Sequence, residues 1–400
     1  MNKRCLIWSN PKQAIYCIMA ILMIIGCINV FSASYIVAQS ENLSSYHYFG
    51  RYVIYALLGM GCIYMVRKIG YRWFMRPRNI MLAYGASLVL VLLVYAVGVE
   101  ANGAKRWLHL GFITFQPSEL AKVAVIMLTA FFLSHTIRAG RTVSLLSKTS
   151  GIVLGFVFFL AVLVGGQPDK GTGAIIAGLS FGVFMAAGLN KKQLAMIVIS
   201  CVVGVILIGL SSTYSTNRLN VWLDPWSDAT GHGYQTVQSL LSIGSGGLTG
   251  VSWGGGYAKF HYLPEAHTDF AFAVFCQESG FLGAIIVICL FLALGYAFLR
   301  IAFSTRDEKA YLLVSGMMLY VVGQACANMA MVCGLLPVIG VPLPLISYGG
   351  TSMLTTMGAI GLVLSVYDVE SELEREEARP PEQRRQDLQF VENRRWKHNG

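Results

Sequence analysis

The feature that most constrains this chain is a series of apolar segments, each long enough to cross a lipid bilayer. A helix needs about 20 residues to cross a hydrocarbon core of about 30 Å. Such runs recur between Gln13 and Tyr367 with short polar interruptions. Only 12% of the 400 residues are charged, against about a quarter in soluble proteins. The sequence therefore predicts an all-α polytopic membrane protein.

The apolar maxima predict ten transmembrane helices. They fall near residues 14–36, 52–66, 80–98, 118–136, 151–166, 173–189, 194–210, 271–298, 311–333 and 351–367. The first run is longer than a signal-peptide core and lacks a cleavage site before a soluble body, so we expect it to be retained. These limits predict a membrane domain over residues 1–367, with a large extracytoplasmic loop at 211–268 between helices 7 and 8. Residues 368–400 form a charged cytoplasmic tail, which we expect to be partly disordered.

Lysine and arginine are concentrated in alternate loops. The N-terminus and the loops after helices 2, 4, 6 and 8 hold most of them, whereas the opposite loops hold few. Short cytoplasmic loops carry this excess, so both termini are predicted to be cytoplasmic. The same distribution explains most of the formal net charge of +10, and no nucleic-acid-binding motif accompanies it. The nine cysteines show no spacing typical of a disulfide or metal framework.

Asp269 stands where an apolar helix is about to begin, in the segment YLPEAHTDF at residues 262–270. A charged side chain within a span costs about 3 kcal/mol, so acids placed there tend to be functional. N-capping of the helix by Thr268 or Asp269 explains the placement equally well. The two roles can coexist.

A second polar cluster precedes the fourth predicted helix. Lys105 and Arg106 lie on the outer side against the charge bias, which favours them as phosphate ligands. Pro117 suits a first helical turn, and Glu119 and Lys122 share one helix face. Mutual neutralisation is an alternative explanation for that pair.

Two further segments lie on the same side. Residues 167–172, which include Asp169, read as a tight turn. Residues 336–350 are rich in proline yet apolar, and irregular backbone at membrane depth is tolerated only where it is buried in protein or lines a cavity. The loop at 211–268 is too long for a simple linker and is more typical of a lid or binding loop.

At these motifs the sequence resembles the SEDS family (shape, elongation, division and sporulation) over residues 22–367. The shared motifs lie at residues 102–108, 116–122, 167–172, 233–239, 243–247, 263–270 and 342–350. Residues 224–226 and 263–269 resemble the FtsW and SpoVE branches more than RodA. Two positions depart from the family pattern: Lys170 replaces a usually apolar residue, and Gln277 replaces the first of two adjacent acids.

The resemblance implies a glycosyltransferase of the bacterial cytoplasmic membrane that polymerises lipid II, an undecaprenyl-pyrophosphate disaccharide pentapeptide, into peptidoglycan. Its implied partners are a class B penicillin-binding protein and other divisome or elongasome proteins. By motif, Asp269 matches the catalytic aspartate. The residues expected at the substrate are Lys105, Arg106, Glu119, Lys122, Asp169, Arg218, Gln238, Ser239, Glu265, His267, Thr268 and Ser347. No cofactor is required, and a divalent cation (Mg²⁺ or Mn²⁺) is an option to which no ligands are assigned.

The expected reaction needs a base for the acceptor 4-hydroxyl and positive charge for the departing pyrophosphate. Pyrophosphate leaves unprotonated, so one carboxylate suffices where glycoside hydrolases use two. We assign Asp269 as the base and Arg106, Lys105 and Arg218 as pyrophosphate contacts. The alternatives are a flippase for the same lipid and a noncatalytic scaffold that acts through the tail. Division, elongation and sporulation roles are not distinguished.

Overall fold

The computed structural model describes residues 10–101, 104–110, 113–167, 169–197, 199 and 220–378. The helices in these segments include α1 (Pro11–Ser40), α2 (His47–Ile69), α3 (Tyr71–Phe74), α4 (Pro77–Val97), α5 (Pro117–Arg138), α6 (Lys148–Gly165), α7 (Lys170–Ala186), α8 (Tyr234–Ser245), α9 (Ala271–Ser304), α10 (Glu308–Val332) and α11 (Gly350–Ala378). Within the described part of the chain, 8 of them are long and apolar enough to cross a membrane: all but α3, α7 and α8. The predicted helical, polytopic fold is confirmed.

The 8 long helices correspond to the predicted spans 1–5 and 8–10. The predicted sixth span is α7, an apolar helix of 17 residues. The predicted seventh span, at 194–210, lies mostly outside the described residues, so the total of ten remains a prediction. Of the large loop, residues 220–268 are described, and helix α11 continues into the predicted tail as far as Ala378.

A three-stranded antiparallel sheet stands before α5, where the sequence indicated only a loop. Its strands are β1 (Val99–Ala101), β2 (Ala104–Leu110) and β3 (Ile113–Phe115), in the order β1-β2-β3. The Gln116 amide donates to the Thr351 hydroxyl at 3.0 Å, and that hydroxyl donates to the Thr114 carbonyl at 3.1 Å. These bonds attach the sheet to the first turn of α11.

Helix α9 is interrupted at Gly280, although the sequence predicted an unbroken span. Gly280 has φ 68° and ψ −170°, a conformation that glycine alone adopts readily. The break follows from long-range packing, because the Phe281 and Leu282 amides donate to the carbonyls of Gly247 and Leu248 at 3.0 and 3.1 Å. The loop before α9 is thereby held against it, and residues 271–279 form a separate helical segment directly after Asp269.

Charged residues gather at one end of the helical bundle. Asp368, near the end of α11, accepts from Lys12 at 2.8 Å and from Arg67 at 2.6 Å. Arg138 pairs with Asp307 at the same end, between α5 and α10. The basic loops predicted to share one side of the membrane thus share one end of the bundle. The starts of α5, α7, α9 and α11 point to the opposite end.

Candidate active site

Asp269 lies at the end of the bundle opposite those charged loops, where three chain segments meet. They are the loop of residues 258–270 (the Asp269 loop), strand β2, and residues 336–349 (the proline-rich segment). A Cβ placed on Gly340 would lie 3.5 Å from Asp269 Oδ2 and 3.9 Å from Arg106 Nη1. Gly340 has φ 74°. The carboxylate and the guanidinium therefore both face this glycine.

The main chain at Asp269 is held by Asn328, a residue that the sequence analysis did not select. Its side-chain amide donates to the carbonyls of Asp269 at 2.8 Å and of Val341 at 2.7 Å. Asn328 is completely buried in α10. A polar amide in a predicted span was a usable signal, because burial of such a group is costly unless it is hydrogen-bonded. Asn328 fixes the Asp269 loop relative to the proline-rich segment.

The environment of Asp269 raises the pKa of its carboxyl group to about 7. Desolvation is the main cause, followed by the negative charge of Glu265; Arg106 acts in the opposite direction, and Asp169 and Glu119 raise the pKa further. A carboxylate whose pKa lies near the working pH combines a large ionised fraction with useful basicity. Although the carboxyl group is strongly desolvated, Asp269 as a residue is only partly buried, so a substrate can reach it.

Helix capping does not explain Asp269. The N-cap of α9 is Phe270, which makes no side-chain capping bond. The Thr268 hydroxyl instead donates to Glu265 Oε2 at 2.5 Å. The capping interpretation is therefore not supported, and capping does not account for the position of the Asp269 carboxylate.

Arg106 is oriented by Asp169. Its Nε lies 3.8 Å from Asp169 Oδ2, and Asp169 is buried at the start of α7, where it also accepts from the Thr172 amide at 3.3 Å. Lys105 is exposed and, as the preceding residue of β2, points to the other face of the strand. The structure brings Arg106 to Asp269 and separates Lys105 from it.

Glu119 and Lys122 form a buried ion pair with a bond of 2.8 Å. Lys122 also donates to Gln324 at 2.8 Å, and the Tyr320 hydroxyl donates to Glu119 at 2.9 Å. Gln324 in turn donates to the Pro342 carbonyl at 3.2 Å. Because neither charged group is exposed to solvent, the pair positions the proline-rich segment and does not face a substrate directly.

The remaining expected residues make mainly internal bonds. Ser347 accepts from the Leu343 amide at 2.9 Å, and Ser239 donates to the Val332 carbonyl at 2.7 Å. His267 packs between Tyr48 and Tyr348, with ring centroids at 4.8 and 5.9 Å, and burial lowers the pKa of His267. Gln238 is partly exposed on α8. Arg218 lies outside the described residues.

A second buried ion pair, also missed from the sequence, closes the base of the Asp269 loop. Lys259 donates to Glu278 at 2.6 Å and to the Ser32 hydroxyl of α1 at 2.9 Å, with both charged side chains fully buried. Gln277 accepts from the Ala258 amide at 3.1 Å and donates to Ser245 at 2.8 Å. The amide at position 277 thus supplies a donor that an ionised acid lacks.

Breaking this pair is expected to destabilise the protein strongly. Lys259→Met leaves Glu278 charged, buried and unpaired, which costs about 3–5 kcal/mol. Thermal unfolding of the purified protein in detergent measures the loss. Arg306→Ala is the matched control, because it removes the exposed Arg306–Glu377 pair and should leave the transition unchanged. An equal transition temperature for Lys259→Met and the wild type would contradict the role of the pair.

Among the described residues, no group of three or more histidine, cysteine, aspartate or glutamate side chains is arranged to hold a metal ion. No metal ligands are therefore assigned at this site.

Comparison with known proteins places these motifs in a single family. The FtsW/RodA/SpoVE model, described as cell cycle protein, matches residues 12–372. Stage V sporulation protein E of Bacillus subtilis is 32% identical over 360 residues, which are 90% of this chain and 97% of that protein. Peptidoglycan glycosyltransferase MrdB of Escherichia coli K12 is 37% identical over 287 residues, 71% of this chain and 76% of that protein. A probable peptidoglycan glycosyltransferase FtsW of Geobacter sp. M18 is 33% identical over 346 residues, 86% of this chain and 94% of that protein.

Solved structures show the same fold. A chain from a peptidoglycan synthase complex, described as coordinating polymerization and crosslinking, aligns with a TM-score of 0.74 at 26% identity, over 90% of this chain and 98% of that one. The rod shape determining protein RodA of Thermus thermophilus aligns with a TM-score of 0.63 at 26% identity, over 92% and 98%.

Proposed function

Because this chain belongs to the FtsW/RodA/SpoVE family of cell cycle proteins, we propose that it is a peptidoglycan glycosyltransferase that polymerises lipid II at the outer face of the cytoplasmic membrane. The observation that carries the proposal is the pair of Asp269 and Arg106, which face the same glycine at one end of a membrane-spanning bundle. The relatives named as peptidoglycan glycosyltransferases support the reaction class.

In the proposed reaction, the oxygen of an acceptor 4-hydroxyl bonds to the anomeric carbon of the donor sugar. The bond from that carbon to the lipid pyrophosphate breaks, and the hydroxyl proton passes to Asp269. Direct attack inverts the anomeric centre, so an α-linked donor gives a β-linked polymer. A positioned general base contributes about a hundredfold to ten-thousandfold.

Arg106 is the proposed contact for the leaving pyrophosphate. Its guanidinium presents several donors in a fixed plane, which suits phosphate oxygens. Lys105, exposed on the other face of β2, attracts the anionic headgroup at longer range. The proposed step is written without a metal ion, and a divalent cation (Mg²⁺ or Mn²⁺) stays an option with no assigned ligands.

A groove in the bundle supports access of a lipid-linked substrate. A cavity of about 510 Å³ lies between α2, α4, α5 and α11, and its walls are almost entirely apolar. It extends from Leu120 and Leu354, each about one turn from the start of its helix, to Trp73 and Phe74 near the opposite end. Its dimensions and apolar surface suit part of a polyprenyl chain, which would leave the pyrophosphate near Arg106.

The charge of Asp269 makes the rate dependent on pH. The carboxylate must be ionised to accept a proton, so kcat/KM should rise with pH and level off above an apparent pKa of about 7. Arg106 lowers the pKa of Asp269, so Arg106→Ala should move this rise to higher pH. Initial rates of lipid II polymerisation between pH 5 and pH 9 measure the transition in the wild type and its shift in Arg106→Ala. This range covers about two pH units on either side of the expected transition. A pH profile with no transition near neutrality, or one that Arg106→Ala leaves in place, would contradict the assignment.

The proposed cellular arrangement follows the charge pattern and the relatives. The basic loops and both termini lie in the cytoplasm, and Asp269 faces the outside. The relative found in a synthase complex that combines polymerization with crosslinking supports a class B penicillin-binding protein as partner. Contacts with other divisome or elongasome proteins are part of the same proposal.

Removal of the tail separates an enzyme from a scaffold. Truncation after Ala378, the last described residue of α11, removes residues 379–400 of the tail and leaves Asp269 and the bundle intact. An enzyme should retain polymerisation of purified lipid II with its partner, whereas a scaffold that acts through the tail depends on those residues for its function in cells. The full-length Asp269→Asn protein is the control for loss of chemistry. A truncated protein that is folded but inactive in the purified assay would contradict the proposal.

A further inference from the structure

A second cavity, of about 260 Å³, lies beside the Asp269 site and is not used by the reaction described above. Two parts of the chain enclose it. They are residues 221–236 of the large loop and residues 336–338 of the proline-rich segment. We refer to it as the Trp222 cavity.

The lining of the Trp222 cavity combines a flat aromatic surface with hydrogen-bonding side chains. Trp222 is half-buried at one wall, and Pro337 and Val338 lie at another. His232, Gln235 and Tyr234 provide donors and acceptors. Among the residues that the structure describes, the lining contains no lysine, arginine, aspartate or glutamate. This combination favours an uncharged polar ring, since the C–H face of a sugar packs on an indole while its hydroxyl and acetamido groups bond to amide and imidazole groups.

The size of the cavity limits what it can hold. Pockets for drug-sized ligands usually measure about 300–1,000 Å³. A volume of about 260 Å³ therefore suits a single sugar ring, and it is too small for a lipid-linked disaccharide with its peptide. The described part of the lining offers no lysine or arginine to hold a pyrophosphate.

The position of the cavity relates it to the reaction. Val338 is two residues before Gly340, which faces Asp269 and Arg106, and two residues of extended chain span at most about 7 Å. Ile339, between them, is pressed against Gly171, where an added Cβ would lie 2.6 Å from the Ile339 carbonyl oxygen. The wall of the cavity at Val338 therefore lies close to the reacting carboxylate.

We propose that the Trp222 cavity is a subsite for one sugar of the glycan strand, adjacent to the sugar that reacts at Asp269. This inference rests on the proposed function. A strand held there stays bound between successive additions, so the cavity controls the length of the product. Trp222 and Gln235 are the residues expected to bind the sugar.

Variants of Trp222 test the subsite. Trp222→Ala should shorten the strands made from purified lipid II by about threefold to tenfold, because loss of an aromatic contact speeds strand release by that factor. Trp222→Phe keeps an aromatic face and should restore most of the length. Trp226→Ala is the matched control, since Trp226 is 56% exposed in the same loop and does not line the cavity. Gel electrophoresis of the labelled products gives the length of the strands.

Strands of normal length from Trp222→Ala would overturn the subsite. If Trp222→Ala fails to fold, Gln235→Ala decides in its place, with shorter strands expected and unchanged strands contradicting the proposal. Binding of a lipid-free glycan tetrasaccharide, measured by saturation-transfer NMR, is read independently of polymerisation. The wild type should bind it and Trp222→Ala should not. If the wild type binds it but makes no polymer, the proposed function is overturned and the subsite is not. Equal binding by both proteins would overturn the subsite.

Discussion

Replacing Asp269 with asparagine is expected to abolish polymerisation of purified lipid II, with a loss of at least about a hundredfold and up to ten-thousandfold. Asparagine preserves the size of the side chain and the main-chain bond from Asn328, but it cannot accept the hydroxyl proton. The fold should therefore survive. Formation of glycan strands by the reconstituted protein and its penicillin-binding partner measures the effect.

Asp224→Asn is the matched control for this change. Asp224 is an exposed aspartate in the large loop, and among the described residues its carboxylate bonds to the Trp226 amide at 3.1 Å. Its rate should equal that of the wild type. If Asp269→Asn kept normal activity, Asp269 would not be the base. Movement of lipid II across vesicles without any polymer from the wild type would instead favour a flippase.

Replacing Arg106 with alanine is the second change with a large expected effect. A preorganised cation beside a developing negative charge contributes about a hundredfold to a thousandfold to kcat. Arg106→Ala should lose that amount, and Arg106→Lys should recover part of it, because an ammonium keeps the charge without the planar pair of donors. Single-turnover rates at saturating lipid II separate this loss from weaker binding.

Lys105→Ala provides the comparison for Arg106. Both residues were expected at the pyrophosphate from the sequence, but only Arg106 shares a site with Asp269 in the structure. Lys105→Ala should raise KM at low salt and change kcat little, since long-range attraction is screened at higher ionic strength. Equal losses of kcat for the two variants would show that the strand faces are assigned wrongly.

Charge in an apolar context was the most reliable sequence signal. Asp269 stood out because an acid at the edge of a span is costly, and Glu119 with Lys122 could be paired from helical spacing alone. The same cost could have identified Glu278 within the eighth predicted span. The partner of Glu278 could not be identified from the sequence. Lys259 precedes helix α9, and the path of the chain between the two residues brings it into contact with Glu278.

Features set by long-range contacts were not predictable. Strands β1 and β3 have three residues each, too few for an alternating pattern, and they depend on pairing with β2. Gly280 looks like any small residue in an apolar run, and its positive φ arises from packing against residues 247–250. Asn328 was visible as a buried amide, but its bonds to Asp269 and Val341 join segments that only the fold brings together.

Accessibility of position 269 tests most directly whether the reacting carboxylate faces a lipid-borne sugar outside the cell. In a chain whose nine cysteines are replaced by serine, Asp269→Cys can be treated with a membrane-impermeant maleimide on intact spheroplasts. We expect labelling without permeabilisation, and protection from it by added lipid II. Labelling only after the membrane is opened, or labelling that lipid II does not slow, would contradict the assignment of Asp269 to an outer, substrate-facing site.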